Sequence, residues 1–348
     1  MKKILLSDAL HYYRANLHCH STISDGRKTP EELKAFYQAQ GYSAIAFTDH
    51  EVLIPHNDLT DDSFVALNGY ELAVNDVGSS FMALHCCHLC LIALDPEPKN
   101  DVCYHRTKYL GCGNSPKYHD KVQFDPAQPD FERVYTPEGV NEMIERGRRG
   151  GFFVTYNHPA WSLEDYPIYM AYHGMNAMEI CNYSAVKDGF DEYDGHVYND
   201  MLRGGERLYC VATDDNHNVE STGDPAASDS FGGYVMIGAP KLGYRELTQA
   251  LENGMFYSVS TLTGHTGPEI HSVTYEDGTV ELRSSLARRI TIDTGLRSTH
   301  AVFAPEGTTV DHAIFRLKNN EPWFRLIVED AAGAKAYTNA FFTDTLQD

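Results

Sequence analysis

Short apolar segments that end in histidine or carboxylate side chains recur through most of this 348-residue chain. The segment SAIAFTDH ends at Asp49 and His50, and GFFVTYNHP carries His158 at its tip. Helix signals lie between such segments. In residues 29–32, TPEE, an N-cap threonine and a proline at the first helical position precede a capping-box glutamate. Strand, helix and strand in alternation predict the βα units of a parallel sheet or barrel.

Further predicted strands continue this alternation. They are SFVALNGYEL with Glu71 at its end, HCCHLCLIAL with His85 and His88, AMEICN with Glu179 and Asn182, and RLYCVATDDNH with Asp214, Asp215 and His217. Helices are predicted after Thr136, around residues 193–202 and over YRELTQALENG. Residues 95–135 form a long polar insertion, and a stretch of that kind is usually a functional loop or a disordered one.

The segment NLHCHSTISD, residues 16–25, carries two histidines two positions apart. In an extended chain His18 and His20 face the same side, which is a chelating geometry. Asp25 follows in a turn that can bring its carboxylate to the same or a neighbouring ion. An isolated pair of this kind is equally typical of a solvated loop, because most histidines bind no metal. The other strand ends decide between the two interpretations.

The polar residues at the predicted strand ends should lie on one rim, because the carboxyl ends of the strands in a βα barrel share a face. They are His18, His20, Asp25, His50, Glu71, His88, His158, Asp215 and His217. Histidine and carboxylate ligands suit Zn, Mn or Fe, and this set exceeds what one ion needs. We therefore expect two or three divalent ions, with a carboxylate such as Glu71 bridging two of them.

The sequence pattern changes at about Pro268 to alternating apolar and polar residues, broken by Asp-Gly and Gly turns. This pattern is typical of antiparallel strands. We predict two domains: an α/β barrel with the metal site over residues 1–262, which includes the insertion 95–135, and a β-sandwich-like domain over residues 263–348.

The formal charge of −21 argues against a long nucleic-acid partner, which would require a basic stripe, and leaves a small molecule as the expected ligand. The start MKKILLSDALHYY has a short apolar run interrupted by Asp8, so we expect neither a signal peptide nor a membrane span. Eight cysteines without an export signal are expected to be reduced thiols. Together these features predict a cytoplasmic protein.

The motifs HCHSTISDG, FTDHE, GYEL, HLCLIAL, NHP and DDNH together resemble those of the polymerase and histidinol phosphatase (PHP) family of metal-dependent phosphoesterases. The resemblance covers residues 16–260 in motif order. It implies a distorted seven-stranded barrel, (βα)7, with a di- or trinuclear metal site at the strand ends. By this resemblance the first ion would be held by His18, His20, Glu71 and Asp215, the second by Glu71, His88 and His158, and the third by Asp25, His50 and His217.

The activity implied by this site is hydrolysis of a small phosphate ester or nucleotide by a hydroxide that bridges the ions. The catalytic residues would be Glu71 as the bridge and Asp215 or His217 as the proton carrier. Asp49 and Asp214 would orient ligands from behind.

Two other functions remain open at this point. The C-terminal ending VEDAAGAKAYTNAFF is similar to that of a PHP subgroup that includes carbamate-ester hydrolases, which favours an ester, amide or carbamate substrate without phosphate. The third hypothesis is a metal-stabilised binding module without catalysis.

Several polar residues have both a functional and a structural interpretation. Arg27, Arg106 and Lys108 are predicted to contact a substrate anion, although such side chains are mostly solvated. His85 competes with His88 as a ligand, and the HLxxL spacing of the family favours His88. The pair Cys87 and Cys90 resembles half a zinc knuckle, and a strand of packed thiols is the alternative. Glu179 and Asn182 would either contact the site or form structural hydrogen bonds.

Overall fold

A computed structural model describes residues 1–76, 85–191, 194–219, 227–261, 265–318 and 320–346. The fold is mixed α/β, with a large sheet of parallel and antiparallel strands and a smaller antiparallel sheet. The helices are α1 (Pro30–Gln38), α2 (Pro137–Arg149), α3 (Tyr166–Tyr169), α4 (Tyr183–Lys187), α5 (Gly195–Gly204) and α6 (Tyr244–Glu252). The predicted helix around residues 193–202 corresponds to α5, and Tyr193 itself lies outside the described residues.

The strands fall into an N-terminal and a C-terminal set. The first set is β1 (Lys3–Leu6), β2 (His11–Asn16), β3 (Ala44–Phe47), β4 (Val65–Asn75), β5 (Cys86–Ala93), β6 (Phe152–Tyr156), β7 (Ala177–Asn182), β8 (Tyr209–Thr213), β9 (Gly233–Ala239) and β10 (Phe256–Ser260). The second set is β11 (Ile270–Glu276), β12 (Thr279–Ala287), β13 (Arg289–Asp293), β14 (His300–Phe303), β15 (Val310–Arg316), β16 (Trp323–Glu329), β17 (Lys335–Thr338) and β18 (Phe341–Phe342). In the described ranges, no helix has the length and apolar character needed to cross a bilayer.

Helix α1 begins where the capping signal predicts. The Thr29 hydroxyl accepts the N–H of Glu32, and the Glu32 carboxylate accepts the N–H of Thr29, so two of the unpaired donors at the helix start are satisfied. The helix buries Leu33 and Tyr37 against the sheet. Its Tyr37 hydroxyl donates to Asp214 over 2.8 Å, so the helix also supports a loop that carries predicted ligands.

The order of strands departs from simple βα alternation at β5. Strands β2, β3 and β4 are parallel, as are β6, β7 and β8, but β5 is antiparallel to both of its neighbours. Strand β4 pairs with β5 as far as Asn75, so Glu71 lies inside β4, opposite Cys90, and the prediction that it ends a strand is wrong. His88 lies near the start of β5, and because that strand runs in the opposite direction its first residues share an edge with the ends of the parallel strands.

The two outer strands of the run from β2 to β8 meet beyond their ends. The N–H of Asp215 donates to the His18 carbonyl over 3.0 Å, and the N–H of His20 donates to the Asn216 carbonyl over 3.1 Å. A parallel bridge joins Cys19 and Asn216. The first and last predicted ligand segments are thus directly hydrogen-bonded to each other.

The C-terminal strands form the two antiparallel layers that the sequence pattern indicates. The sheet β1-β11-β12-β15 packs against β13 and β16 through a shared apolar core. The predicted Asp-Gly turn is confirmed, because Asp277 and Gly278 both adopt positive φ, 46° and 76°. The layer containing β13 and β16 also continues through β17 into β10, so pairing runs across the predicted boundary at residue 262, and that boundary stays a prediction.

The insertion 95–135 has little regular structure beyond short 3-10 turns at Ser115–Lys117 and His119–Lys121. It is anchored by Asp101, a buried residue whose carboxylate accepts the N–H of Cys103 over 2.9 Å and the hydroxyl of Tyr70 over 3.3 Å. Burial raises the pKa of this carboxyl group from 3.8 to about 6, despite the opposing effect of Arg133.

Replacing Asp101 with asparagine is expected to reduce the pH dependence of stability between pH 4 and pH 7. The raised pKa means that folding favours the protonated carboxyl group, so its stabilising contribution is present below pH 3.8 and is lost as the pH rises through 6. The full effect corresponds to about 3 kcal/mol. Urea unfolding of both proteins at the two pH values measures it. An equal loss of stability at both values in the variant would contradict this account.

Candidate metal centre

Seven of the nine predicted ligands line one cavity of about 760 Å³, and the other two, His18 and His20, are fully buried beside Asp215. Within each of four overlapping groups, the possible ligand atoms lie within 4.8 Å of one another. These groups are His18, His20 and Asp215; Glu71, His88 and His158; His20, Asp25, His50 and His217; and His18, Glu71 and Cys90. His20 therefore belongs to two groups, and Cys90, for which a zinc knuckle and a packed strand of thiols were the two predictions, adds a thiol to the group of His18 and Glu71.

Glu71 occupies the middle of this cluster and is 1% exposed. Its Oε1 lies 3.2 Å from His18 Nε2, 3.2 Å from His88 Nδ1 and 3.3 Å from His158 Nε2. Its Oε2 lies 3.0 Å from His50 Nδ1. Burial alone would raise the pKa of this carboxyl group, but the surrounding imidazoles hold it well below its usual range. Glu71 is therefore ionised and faces imidazoles on several sides.

Asp215 joins the two histidines of the HxH pair. Its Oδ1 lies 3.1 Å from His18 Nε2 and 3.0 Å from His20 Nε2, and these two nitrogens are themselves 3.1 Å apart. The backbone of Asp215 is left-handed, with φ of 51°, a conformation that aspartate tolerates better than most residues. Two imidazole nitrogens and a carboxylate oxygen directed at one point form the donor set of a divalent transition metal.

Five buried carboxylate oxygens lack hydrogen-bond partners among the described residues, and three of them belong to predicted ligands: Asp25 Oδ1, Glu71 Oε2 and Asp215 Oδ1. A buried charged oxygen without a partner is costly, because it loses its interactions with water. The other two are Glu51 Oε2, which is ion-paired with Arg133, and Asp194 Oδ1. The donor chemistry and the three ligand oxygens fit divalent cations, which would supply the missing partners.

The third group is built from stacked imidazoles. The His20 ring lies 4.3 Å from the rings of both His50 and His217, centroid to centroid. Burial and the two neighbouring rings lower the pKa of His20 to about 4, which keeps this imidazole neutral. A neutral imidazole is the form that binds a metal.

Glu179, which the sequence left undecided, supports the ligands from behind. Its Oε1 accepts His18 Nδ1 over 2.7 Å, and its Oε2 accepts the N–H of His158 over 2.8 Å and the Asn182 amide over 2.9 Å. The carboxylate therefore fixes the ring of His18 with Nε2 facing the cluster, as outer partners of metal-binding histidines do. The available sequence signal was one acidic residue within the apolar strand AMEICN.

Asp49 and Asp214 act on loops instead of on ligand side chains. The carboxylate of Asp49 accepts the N–H and hydroxyl groups of Ser21 and Ser24, which holds the turn between His20 and Asp25. Asp214 accepts the N–H groups of three residues that precede or begin β9, namely Phe231, Gly232 and Gly233.

The predicted anion-binding cations are not brought to the cavity. Arg106 donates to Asp130 over 2.6 Å, and Lys108 donates to Glu132 over 2.8 Å, so the insertion neutralises both. Arg27 is exposed, and its side chain does not line the cavity in the described part of the chain. Among the described lining residues, Lys187 is the one lysine or arginine.

Besides the predicted ligands, the cavity is lined by apolar and aromatic side chains. Trp161 packs near His88, with ring centroids 5.6 Å apart, and Leu110 and Tyr109 come from the insertion 95–135. His85 is not among the described lining residues, whereas His88 is. A cavity of this size accommodates a small-molecule ligand.

No family model matches the sequence, and no curated protein matches it. A two-domain protein from Bacteroides vulgatus, described as containing a predicted PHP-like metal-dependent phosphoesterase, is 15% identical, with a TM-score of 0.47 over 97% of each chain. A putative metal-dependent phosphoesterase from Bifidobacterium adolescentis is 15% identical, with a TM-score of 0.36 over 58% of this chain and 87% of that one. An amidohydrolase from Chromobacterium violaceum with bound sulfate and no metal is 17% identical, with the same TM-score and coverage.

Proposed function

We propose that this chain is a metal-dependent hydrolase of the PHP type that acts on a small phosphate ester or nucleotide. The observation that carries the proposal is the arrangement around Glu71, a buried carboxylate that contacts imidazoles contributed by separate segments of the chain. Such a concentration of imidazoles and ionised carboxylates is costly to bury without partners of fixed geometry, which metal cations supply.

The fold proposed for this site is a distorted (βα)7 barrel made of strands β2 to β8. Its support is the hydrogen bonding between the segments that follow β2 and β8, which brings the ends of the run together. Residues 1–262 would form this barrel domain, and residues 263–348 would form the appended β-sandwich-like domain.

The metal ligands proposed are the nine residues predicted from the sequence, arranged around two or three ions of Zn, Mn or Fe. One ion would be held by His18, His20, Glu71 and Asp215, a second by Glu71, His88 and His158, and a third by Asp25, His50 and His217, with His20 close enough to share. Bound divalent ions supply a nucleophile near neutral pH by lowering the pKa of water, and they polarise the bond that is cleaved.

Two residues of the chain have proposed roles in proton transfer and in orienting the ligands. In a site with two ions, where the third position is free, His217 is proposed as the proton carrier, since its side chain is 24% exposed to the cavity, whereas that of Asp215 is 13% exposed and faces His18 and His20. The His217 Nδ1 contacts the Asp215 carbonyl over 3.0 Å, which leaves Nε2 on the side of Asp25. Glu71 keeps the neighbouring imidazoles oriented.

A second candidate is hydrolysis of an ester, amide or carbamate that carries no phosphate. The observation that favours it is the scarcity of cations in the described cavity wall, where Lys187 is exposed and donates to the Val219 carbonyl over 3.1 Å. A phosphate dianion would then depend on the metal ions for most of its charge neutralisation.

The test combines metal content with a substrate panel. Protein purified without chelator or affinity nickel is expected to contain two or three equivalents of Zn, Mn or Fe by inductively coupled plasma mass spectrometry. Hydrolysis of p-nitrophenyl phosphate or a phosphodiester should be lost on chelation and return on reloading. Turnover of carboxylate or carbamate esters alone would select the second candidate. A metal content near zero that added metal cannot raise would overturn both.

A further inference from the structure

We propose that Cys112, in the insertion 95–135, is a sulfur ligand of the metal group formed by His20, Asp25, His50 and His217, and that it makes this position selective for zinc. The inference rests on the proposed function, because it concerns the same site. It assigns to the insertion a direct part in the metal centre, in addition to its place in the cavity wall.

The thiol already contacts this group. Cys112 Sγ lies 3.3 Å from Asp25 Oδ2 and donates to it, and the same carboxylate oxygen lies 3.8 Å from His50 Nε2. The other seven cysteines of the chain are buried, whereas Cys112 is exposed where the insertion lines the cavity. This thiol is therefore placed at the open side of the cluster, where a further ligand can reach an ion.

The loop that carries the thiol is fixed to both ligand-bearing segments. Gly113 has φ of 57° and packs so closely that a Cβ atom there would lie 2.2 Å from the Ser24 carbonyl oxygen. The N–H of Asn114 donates to that same carbonyl over 2.7 Å, and the Ser115 hydroxyl donates to the His50 carbonyl over 2.7 Å. The position of the thiol is thus set by contacts with the backbone around Asp25 and His50.

An independent feature shows that this side of the cluster faces a missing partner. Glu71 is 1% exposed, and its Oε2 lacks a hydrogen-bond partner in the described residues while lying 3.0 Å from His50 Nδ1 and 3.5 Å from His20 Nε2. Asp25 Oδ1 is a second buried oxygen without a partner on the same side. Both oxygens lie on the side of the cluster where Asp25 contacts the thiol.

The chemistry of sulfur determines what the thiol adds. Imidazole and carboxylate groups alone accept Mn, Fe or Zn, whereas a thiolate favours the softer ions and is a common zinc ligand. On binding, the S–H bond breaks, the proton now shared with Asp25 leaves to solvent, and the sulfur electron pair forms the bond to the ion. No oxidant or reductant takes part.

The experiment uses cobalt as a spectroscopic substitute for zinc in the full-length protein. Metal-stripped protein titrated with Co²⁺ is expected to show a near-ultraviolet thiolate-to-cobalt charge-transfer band, which Cys112→Ser abolishes while cobalt still binds. The matched variant is Cys90→Ala, because Cys90 is the thiol that lies within 4.8 Å of possible ligand atoms of His18 and Glu71; it should retain the band. In competition titrations Cys112→Ser should weaken zinc binding at least about tenfold, the lower end of losses caused by outer ligand partners, and leave Mn²⁺ binding unchanged.

The other outcomes separate this inference from the proposed function. Cobalt binding without a thiolate band in the wild-type protein overturns the sulfur ligand and leaves the hydrolase proposal standing. A band that persists in Cys112→Ser and disappears in Cys90→Ala assigns the sulfur to Cys90 and also overturns it. A band lost in both variants would report the integrity of the cluster instead of a bond to Cys112, and it overturns the sulfur ligand too. Absence of cobalt binding in every protein overturns the proposed function as well.

Discussion

Replacing Glu71 with glutamine is expected to remove hydrolytic activity and to lower the metal content of the purified protein to at most one ion per chain. Glu71 contacts imidazoles that belong to each of the three proposed ion positions, so its loss cannot be confined to one of them. The glutamine amide also presents a donor where the cluster needs an acceptor. Since outer ligand partners alone cost about 10–100-fold, we expect a loss of activity of more than about 100-fold.

The matched control for this substitution is Glu164→Gln. Glu164 is also buried, and it accepts hydroxyl groups from Tyr135, Tyr156 and Tyr172 instead of facing the histidines. It should therefore keep the wild-type metal content, which plasma mass spectrometry measures alongside the ester panel. A Glu71→Gln protein that retains two or three ions and its turnover would show that this carboxylate bridges nothing.

The candidate ligands could be predicted from the sequence because metal chemistry leaves a strong local signal. His18 and His20 share a face through the two-residue period of an extended chain, and His158 and Asp215 follow apolar segments directly. The structure brings these residues together with the other predicted ligands in one cluster, and most of the cluster lines a single cavity.

The supporting residues were less visible because their partners are distant in sequence. Glu179 contacts His18, which lies 161 positions earlier, and no local pattern specifies that pairing. The same limit applies to charges. Arg106 and Lys108 look like anion-binding cations until the folded insertion places Asp130 and Glu132 against them. The sequence shows which residue types are present and how they are spaced. Which side chains are buried, and which charged groups are paired, depends on the complete fold.

The fold was predictable where local signals specify it. Capping residues correctly placed the start of α1, since its stabilising hydrogen bonds are made within four residues. The direction of β5 was not predictable, because a buried apolar strand has the same sequence pattern in parallel and antiparallel pairing. Strand β9 was missed for a related reason: the glycines that flank its apolar residues resemble a turn, although the strand lies between β2 and β10.

The second large effect is expected at Arg133, where Arg133→Met should lower the free energy of unfolding by about 3–5 kcal/mol. The Arg133 side chain is 2% exposed, and its two terminal nitrogens each lie 2.7 Å from a different oxygen of Glu51, which is itself 6% exposed. It also donates to the Ala73 carbonyl over 2.8 Å. Methionine preserves much of the side-chain volume but leaves the Glu51 charge buried and uncompensated, which costs far more than the lost packing.

Two comparison variants isolate the buried charge as the cause. Arg149→Met removes a helix-surface ion pair whose members, Arg149 and Glu145, are 70% and 64% exposed and 3.5 Å apart, so it should change stability by no more than about 1 kcal/mol. The double variant Arg133→Met with Glu51→Gln should recover part of the loss, because a neutral amide needs no cation. Urea unfolding of the set measures each value. Since Glu51 follows His50, the single variant should also lose metal at the His50 position, and the double variant should regain it. If the single variant were as stable as Arg149→Met, the ion pair of Arg133 and Glu51 would not hold the insertion against the site.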